Sequence, residues 1–152
     1  MIGLIQRVSG AKVEIKGQTF AEIGLGLAVL VGVERADGPA EAVRLAAKLA
    51  AYRVFADDQG KMNRSVRDVG GSLLLVPQFT LAADTASGLR PSFSRAAPPA
   101  QGEELFNALV GAVRAEGIAC GTGRFGADMQ VTLTNDGPVT FWLRVHGATA
   151  AG

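Results

Sequence analysis

Histidine and cysteine are almost missing from this 152-residue sequence, which holds one of each, His146 and Cys120. One cysteine cannot close an internal disulfide, and a disulfide-rich secreted scaffold needs an even set. One histidine and one cysteine cannot supply a zinc site of the usual Cys/His type. A Ser-His-Asp or Cys-His enzyme is open to this chain only if His146 is its base. Net charge is nearly missing too, at +1. That excludes a protein that coats nucleic acid through many Lys and Arg contacts to phosphate, but not one that grips a short RNA segment. Long hydrophobic runs are absent. The longest, Leu25 to Val33, is about half of the ~20 residues a membrane helix needs. The opening run Met1 to Arg7 is too short for a signal peptide and has no basic leader. The expectation is a cytoplasmic protein with no membrane contact.

What is present suffices for a core: 48% of residues are apolar and 19% charged. The length suits one domain, residues 1–152. Residues 4–8, 12–15 and 19–23 read as strands, with a break at Ser9-Gly10 and a turn at Lys16-Gly17-Gln18. Leu27 to Val33 is a continuous apolar run, as in a strand buried on both faces. Asp37-Gly38-Pro39 opens a helix, with Asp37 as its cap and proline in the first turn. That helix runs to about Tyr52. A short strand at residues 53–55 and a turn at 57–60 follow, and then a buried strand at residues 72–76. Residues 82–102 are rich in Ala, Ser, Gly and Pro and read as a long loop. Residues 103–116 read as a second helix that ends at Gly117. Strands at 129–134 and 139–145 close the chain, joined by a tight turn at Asn135-Asp136-Gly137-Pro138. Two helices covering one mixed sheet system is the architecture this order implies.

Taken singly, the candidate chemical motifs are weak. Gly121-Thr122-Gly123-Arg124-Phe125-Gly126 matches the dinucleotide pattern, but a helix precedes it and a strand follows, the reverse of what pyrophosphate binding needs. It reads instead as a flexible connection. His146 lies past the last strand, where a surface role fits. Cys120 has no adjacent cation to lower its pKa and reads as an inert thiol. Thr80 follows a buried strand, but no base lies near it in sequence. Lys61 to Arg67 holds three cations and no acid. It reads as a solvated face or a phosphate contact, and Arg90 to Arg95 is a second candidate for RNA contact.

Their combination is more specific. Ile5-Gln6-Arg7-Val8, Gln78-Phe79-Thr80-Leu81, Leu89-Arg90-Pro91-Ser92-Phe93, the block Thr122 to Met129, and Asn135-Asp136-Gly137-Pro138-Val139-Thr140 together resemble the D-aminoacyl-tRNA deacylase family, from Met1 to Val145. The resemblance implies a mixed α/β fold of largely antiparallel packed sheets with two main helices outside. It implies a homodimer with the active site at its interface, which hydrolyses the ester between a D-amino acid and the 3′ end of tRNA and also accepts glycine. No metal or cofactor is implied, because the tRNA's own 2′-hydroxyl activates water. Gln78, Phe79 and Thr80 fall on the catalytic block. Gly137 and Pro138 fall on a Gly-cisPro element that enters from the other protomer and rejects L side chains. Arg7 falls on the arginine that holds this element, and Phe125 and Met129 on the substrate pocket. Position 77 departs from the family, with proline where serine is common. A sister family that removes L-alanine from tRNA also has proline there. Two further readings are a non-enzymatic RNA-binding module using Lys61 to Arg67 and an esterase built on His146.

Overall fold

A computed structural model describes residues 1–146. Its elements in chain order are β1 (Ile2–Ile15), β2 (Gln18–Ile23), β3 (Gly26–Gly32), α1 (Pro39–Ala51), β4 (Phe55–Ala56), β5 (Met62–Arg64), β6 (Ser72–Pro77), a 3-10 turn (Phe79–Ala82), α2 (Pro99–Ala115), β7 (Cys120–Thr122) and β8 (Gln130–Arg144). Among the described residues no helix is long and apolar enough to cross a membrane.

The main sheet has six strands in the order β2-β1-β3-β6-β7, with β8 paired to β1. Strands β2, β3 and β8 run antiparallel to β1, while β3, β6 and β7 are mutually parallel. The sheet curls until β2 also touches β6 and β7. Alternation along the strands divides the apolar residues between two cores, since successive side chains point to opposite faces. Leu27, Val29, Val31, Leu73 and Leu75 face α1 and α2. Ala28, Leu74 and Val76 face the inside of the curl with Val8, Val13 and Ile23. Burial on both faces explains the unbroken apolar runs of β3 and β6.

Several boundaries differ from the sequence expectation. Ser9-Gly10 does not break β1. Residues 2–8 pair with β3 and residues 11–15 with β2, so the small residues mark a change of partner on one edge. Strand β8 spans both sides of this change. Asn135 to Pro138 is not a tight turn between two strands but a bulge inside β8. Helix α2 starts at Pro99, four residues before the acidic pair Glu103-Glu104, because proline at the first helical position gives up an N–H that no helix would use. Gly121 and Thr122 are strand, not flexible connection: β7 pairs with β6. Asp37 is also not the cap of α1. Gly38 is, and its N–H donates to Glu41 Oε2 at 2.7 Å. The Asp37 carboxylate instead accepts from the Met1 amino group at 2.6 Å and from the Glu34 N–H at 2.7 Å.

Candidate active site

The parallel strands β3 and β6 end side by side, with Val31 opposite Pro77. Ends of parallel strands are where α/β sheets place ligands, because the chain there turns away and leaves a crevice. At this end the Gln78 N–H donates to Val31 O at 2.7 Å, which fixes the exit of β6. The chain then winds into the 3-10 turn. Leu81 N–H donates to Gln78 O at 3.2 Å and Ala83 N–H to Thr80 O at 3.2 Å. The first N–H groups of such a turn, those of Phe79 and Thr80, precede its own i→i+3 bonds. The Gln78 side-chain amide donates to Thr80 Oγ1. Phe79 is 58% exposed and leans on Phe93, ring centroids 5.2 Å apart.

A cleft of about 710 Å³ opens beside this turn. Pro77, Gln78, Phe79, Phe93, Arg35, Phe106, Phe125 and Met129 are among its lining residues. Two glycines shape it. A Cβ on Gly123 would lie 2.8 Å from Met129 Sδ and 3.2 Å from Pro77 Cδ. Only glycine lets those two side chains meet there. A Cβ on Gly102 of α2 would lie 3.3 Å from the Phe125 ring, so the tip of this ring packs close against the helix there. The volume suits a small ligand or one nucleotide, and the lining is mostly apolar with a few polar groups, as ligand pockets are.

The structure thus brings Gln78, Phe79, Phe125 and Met129 to one cleft, with Thr80 on the turn beside it. Arg7, Gly137 and Pro138 lie elsewhere. Gln6 pairs with Thr140 and Val8 with Asn135, so Arg7 alone stands opposite the four residues Asp136 to Val139. The surplus bulges outward, and Gly137 and Pro138 are exposed, joined by a cis peptide bond. Two side chains hold the bulge. Asn135 Nδ2 donates to Arg7 O at 2.8 Å and to Val139 O at 2.9 Å, and its Oδ1 accepts from Val139 N–H at 3.2 Å. Arg7 Nε donates to Asp136 O at 2.8 Å while Nη1 donates to Val54 O at 2.7 Å. Residue reading gives no site role to Asn135 or Arg35. Asn135 is hidden because Asn-Asp-Gly-Pro has turn composition, and its real partners lie across the sheet.

Other candidates fall away from the cleft. His146 is exposed and does not line it. Its carbonyl accepts from Arg44. Burial pushes the Cys120 thiol up to about 11, against a smaller opposing pull from Arg114. In the Lys61 to Arg67 segment, Arg64 pairs with Asp58 at 3.3 Å and Arg67 with Glu116 at 2.6 Å, so two of its three cations are already matched.

Comparison with known proteins decides the family. The family model described as D-Tyr-tRNA(Tyr) deacylase matches residues 4–144. The chain belongs to this family. Proteins named D-aminoacyl-tRNA deacylase from Alkalilimnicola ehrlichii and Ectopseudomonas mendocina are 57% and 63% identical to it. The first alignment covers 99% of this chain and all of the relative; the second covers 93% and 98%. The solved structure of a c-Myc DNA unwinding element binding protein superimposes with a TM-score of 0.91 at 36% identity, covering 97% of this chain and 100% of that one. A probable eukaryotic D-amino acid tRNA deacylase shares the fold, with a TM-score of 0.81 at 14% identity over 93% and 97% of the two chains. The mixed α/β fold expected of the family is therefore the fold observed.

Proposed function

We propose that this chain hydrolyses the ester between a D-amino acid, or glycine, and the terminal ribose of tRNA. The observation that carries this reading is the Gln78–Thr80 turn at the end of β6, beside a nucleotide-sized cleft, in a chain whose relatives are named D-aminoacyl-tRNA deacylase. The aminoacyl ester is already activated, so no strong nucleophile is required. Water adds to the carbonyl carbon and passes a proton to the ribose 2′-hydroxyl, which passes its own to the neighbouring 3′-oxygen. The bond between that oxygen and the acyl carbon breaks, and free amino acid and tRNA leave. The N–H groups of Phe79 and Thr80 receive the developing oxyanion, a role worth about 3–4 kcal/mol per donor in other enzymes. Gln78 holds the Thr80 hydroxyl, and Thr80 contributes position rather than a covalent intermediate. Phe125 and Met129 line the pocket for the acceptor end.

Rejection of L-amino acids falls to Gly137 and Pro138 of a second copy. Within one chain neither Gly137 nor Pro138 lines the cleft, which β8 reaches only through Val131 near its start. A bulge that projects outward from its own chain suits insertion into a partner's cleft. Its carbonyls would hold the substrate ammonium and leave no space for an L side chain, which is discrimination by built-in clash. Arg7, a five-donor planar fork, keeps the bulge in one pose. This reading places the protein in the cytoplasm, with aminoacyl-tRNA, as a homodimer.

Pro77 supports a second reading, deacylation of L-alanyl-tRNA, because its ring replaces a hydroxyl and an N–H at the cleft wall. One assay separates the two. D-tyrosyl-, L-tyrosyl-, glycyl- and L-alanyl-tRNA are incubated with the protein and the residual ester is measured. Loss of the D-tyrosyl and glycyl esters alone is expected. Preferential loss of L-alanyl ester would favour the second reading, and equal rates for D- and L-tyrosyl esters would sink the chiral one. Sedimentation equilibrium checks the dimer.

A further inference from the structure

A second hollow lies behind the cleft, and nothing in the mechanism above uses it. It measures about 440 Å³ and shares Phe106 and Phe125 with the cleft as a common wall. Its own lining is unlike that of the cleft: Phe20 from β2, Glu103, Asn107 and Arg114 from α2, and Arg124 from the segment after β7. Phe20 is 50% exposed, so one face of its ring is open to a ligand in the hollow. Arg114 reaches only the Cys120 carbonyl, at 3.4 Å. Arg124 and Glu103 form no ion pair among the described residues.

We propose that this hollow receives the nucleotide on the 5′ side of the esterified adenosine, a cytidine. The proposal rests on the deacylase reading. An exposed aromatic ring beside unpaired arginines is how proteins hold single-stranded RNA, with the base stacked on the ring and the phosphate on the cations. A site for bare phosphate would not include a carboxylate. A site for cytidine does, because the cytosine N4 amino group donates and Glu accepts. Phe125 between the two hollows then separates two consecutive nucleotides, the adenosine in the cleft and the cytidine behind it. The contact is made by one chain, so it adds grip on the RNA without depending on the partner's bulge.

The test is calorimetric titration of cytidylyl-(3′,5′)-adenosine, uridylyl-(3′,5′)-adenosine and adenosine 5′-monophosphate into the wild-type protein, with D-tyrosyl-tRNA hydrolysis assayed in parallel. The cytidine dinucleotide should bind roughly fivefold or more tightly than the mononucleotide, the lower end of what one stacked base gives. Phe20→Ala should abolish this advantage and leave mononucleotide binding within twofold. Glu103→Gln should erase the preference for cytidine over uridine, whose O4 accepts where N4 would donate. Equal binding of dinucleotide and mononucleotide by the wild type would overturn the proposal, as would an unchanged cytidine advantage in Phe20→Ala. A cytidine advantage without any hydrolysis of D-tyrosyl-tRNA would keep this site and overturn the deacylase reading instead.

Discussion

The end of β6 and the bulge of β8 are both places where a strand meets a proline, and they are held in opposite ways. Pro77 closes β6, and the turn after it is fixed from within by backbone bonds, Gln78 N–H to Val31 O and Leu81 N–H to Gln78 O. Pro138 sits inside β8, and the bulge around it is fixed from outside by two side chains, Arg7 and Asn135. The first arrangement encloses a cleft. The second offers a glycine and a proline to solvent on a rigid mount. A turn held by its own backbone withstands side-chain replacement. A bulge held by two side chains does not, so substitution should separate hydrolysis from chiral selection.

The largest expected effect is at the turn, and it needs the backbone to be altered. Phe79 is the first residue of the 3-10 turn, and Gln78 before it lies outside the helical region, with φ −142° and ψ 81°. Proline fits such a first position. Phe79→Pro removes the N–H, whereas Phe79→Ala keeps it and removes the ring in the same way. Single-turnover hydrolysis of D-tyrosyl-tRNA should be about 10²- to 10³-fold slower in the proline variant than in the alanine variant, the loss typical of one oxyanion donor. Equal rates in the two would mean that this N–H does not face the reacting carbonyl. At the bulge, Arg7→Lys keeps the charge and loses the fork that spans Asp136 and Val54. The ratio of D- to L-tyrosyl-tRNA hydrolysis should fall about tenfold, the scale of one charge-assisted hydrogen bond. The rate on the D substrate should change less than threefold, against the tenfold selectivity loss. A variant that loses both activities together would erase the contrast between the two regions.

Asn135→Ala tests the same mount through stability. It removes three hydrogen bonds across the neck of the bulge, and the urea midpoint should report a loss of about 1–3 kcal/mol. A loss below about 0.5 kcal/mol, within the range of an ordinary surface substitution, would show that Arg7 alone suffices.

The contrast also marks what could be read from the residues. The end of β6 is legible because its causes are local: a continuous apolar run and then a proline. The helix at Pro39 is legible for the same reason. Strands β1 and β8 are not, because each depends on the other. Ser9-Gly10 has the composition of a break, yet β8, more than a hundred residues later, bridges it. Asn135 to Pro138 has the composition of a turn, yet β1 continues past it on both sides. Helix α2 hides its start because Pro98-Pro99 and Gly102 read as loop, and the reason for Gly102 is a ring from the segment after β7. The candidate residues themselves came from linked motifs, and only the fold shows that they fall into two groups.

The smallest effect should come from acid, and it should reach the bulge side before the cleft. Asp57 is held below the usual carboxylate range, first by the Asn63 side chain and then by the Lys61 N–H. The Ser65 N–H and hydroxyl do the same for Asp68, and the Gly38 N–H for Glu41. Asp57 closes the loop from β4 to β5, just after the Val54 carbonyl that anchors Arg7. A carboxyl with a lowered folded pKa binds its proton more readily in the unfolded chain. The stability it gives is therefore whole above the usual carboxylate range and is lost as pH falls through that range, from about pH 5 downward. Urea midpoints should hold steady between about pH 7 and 5.5 and decline below that. Amide exchange should rise first at residues 57–64 rather than at Leu73 to Val76. Asp57→Asn should flatten part of the decline. Exchange that rises first along β6 would place the acid-sensitive weakness at the cleft and reverse the ranking of the two regions.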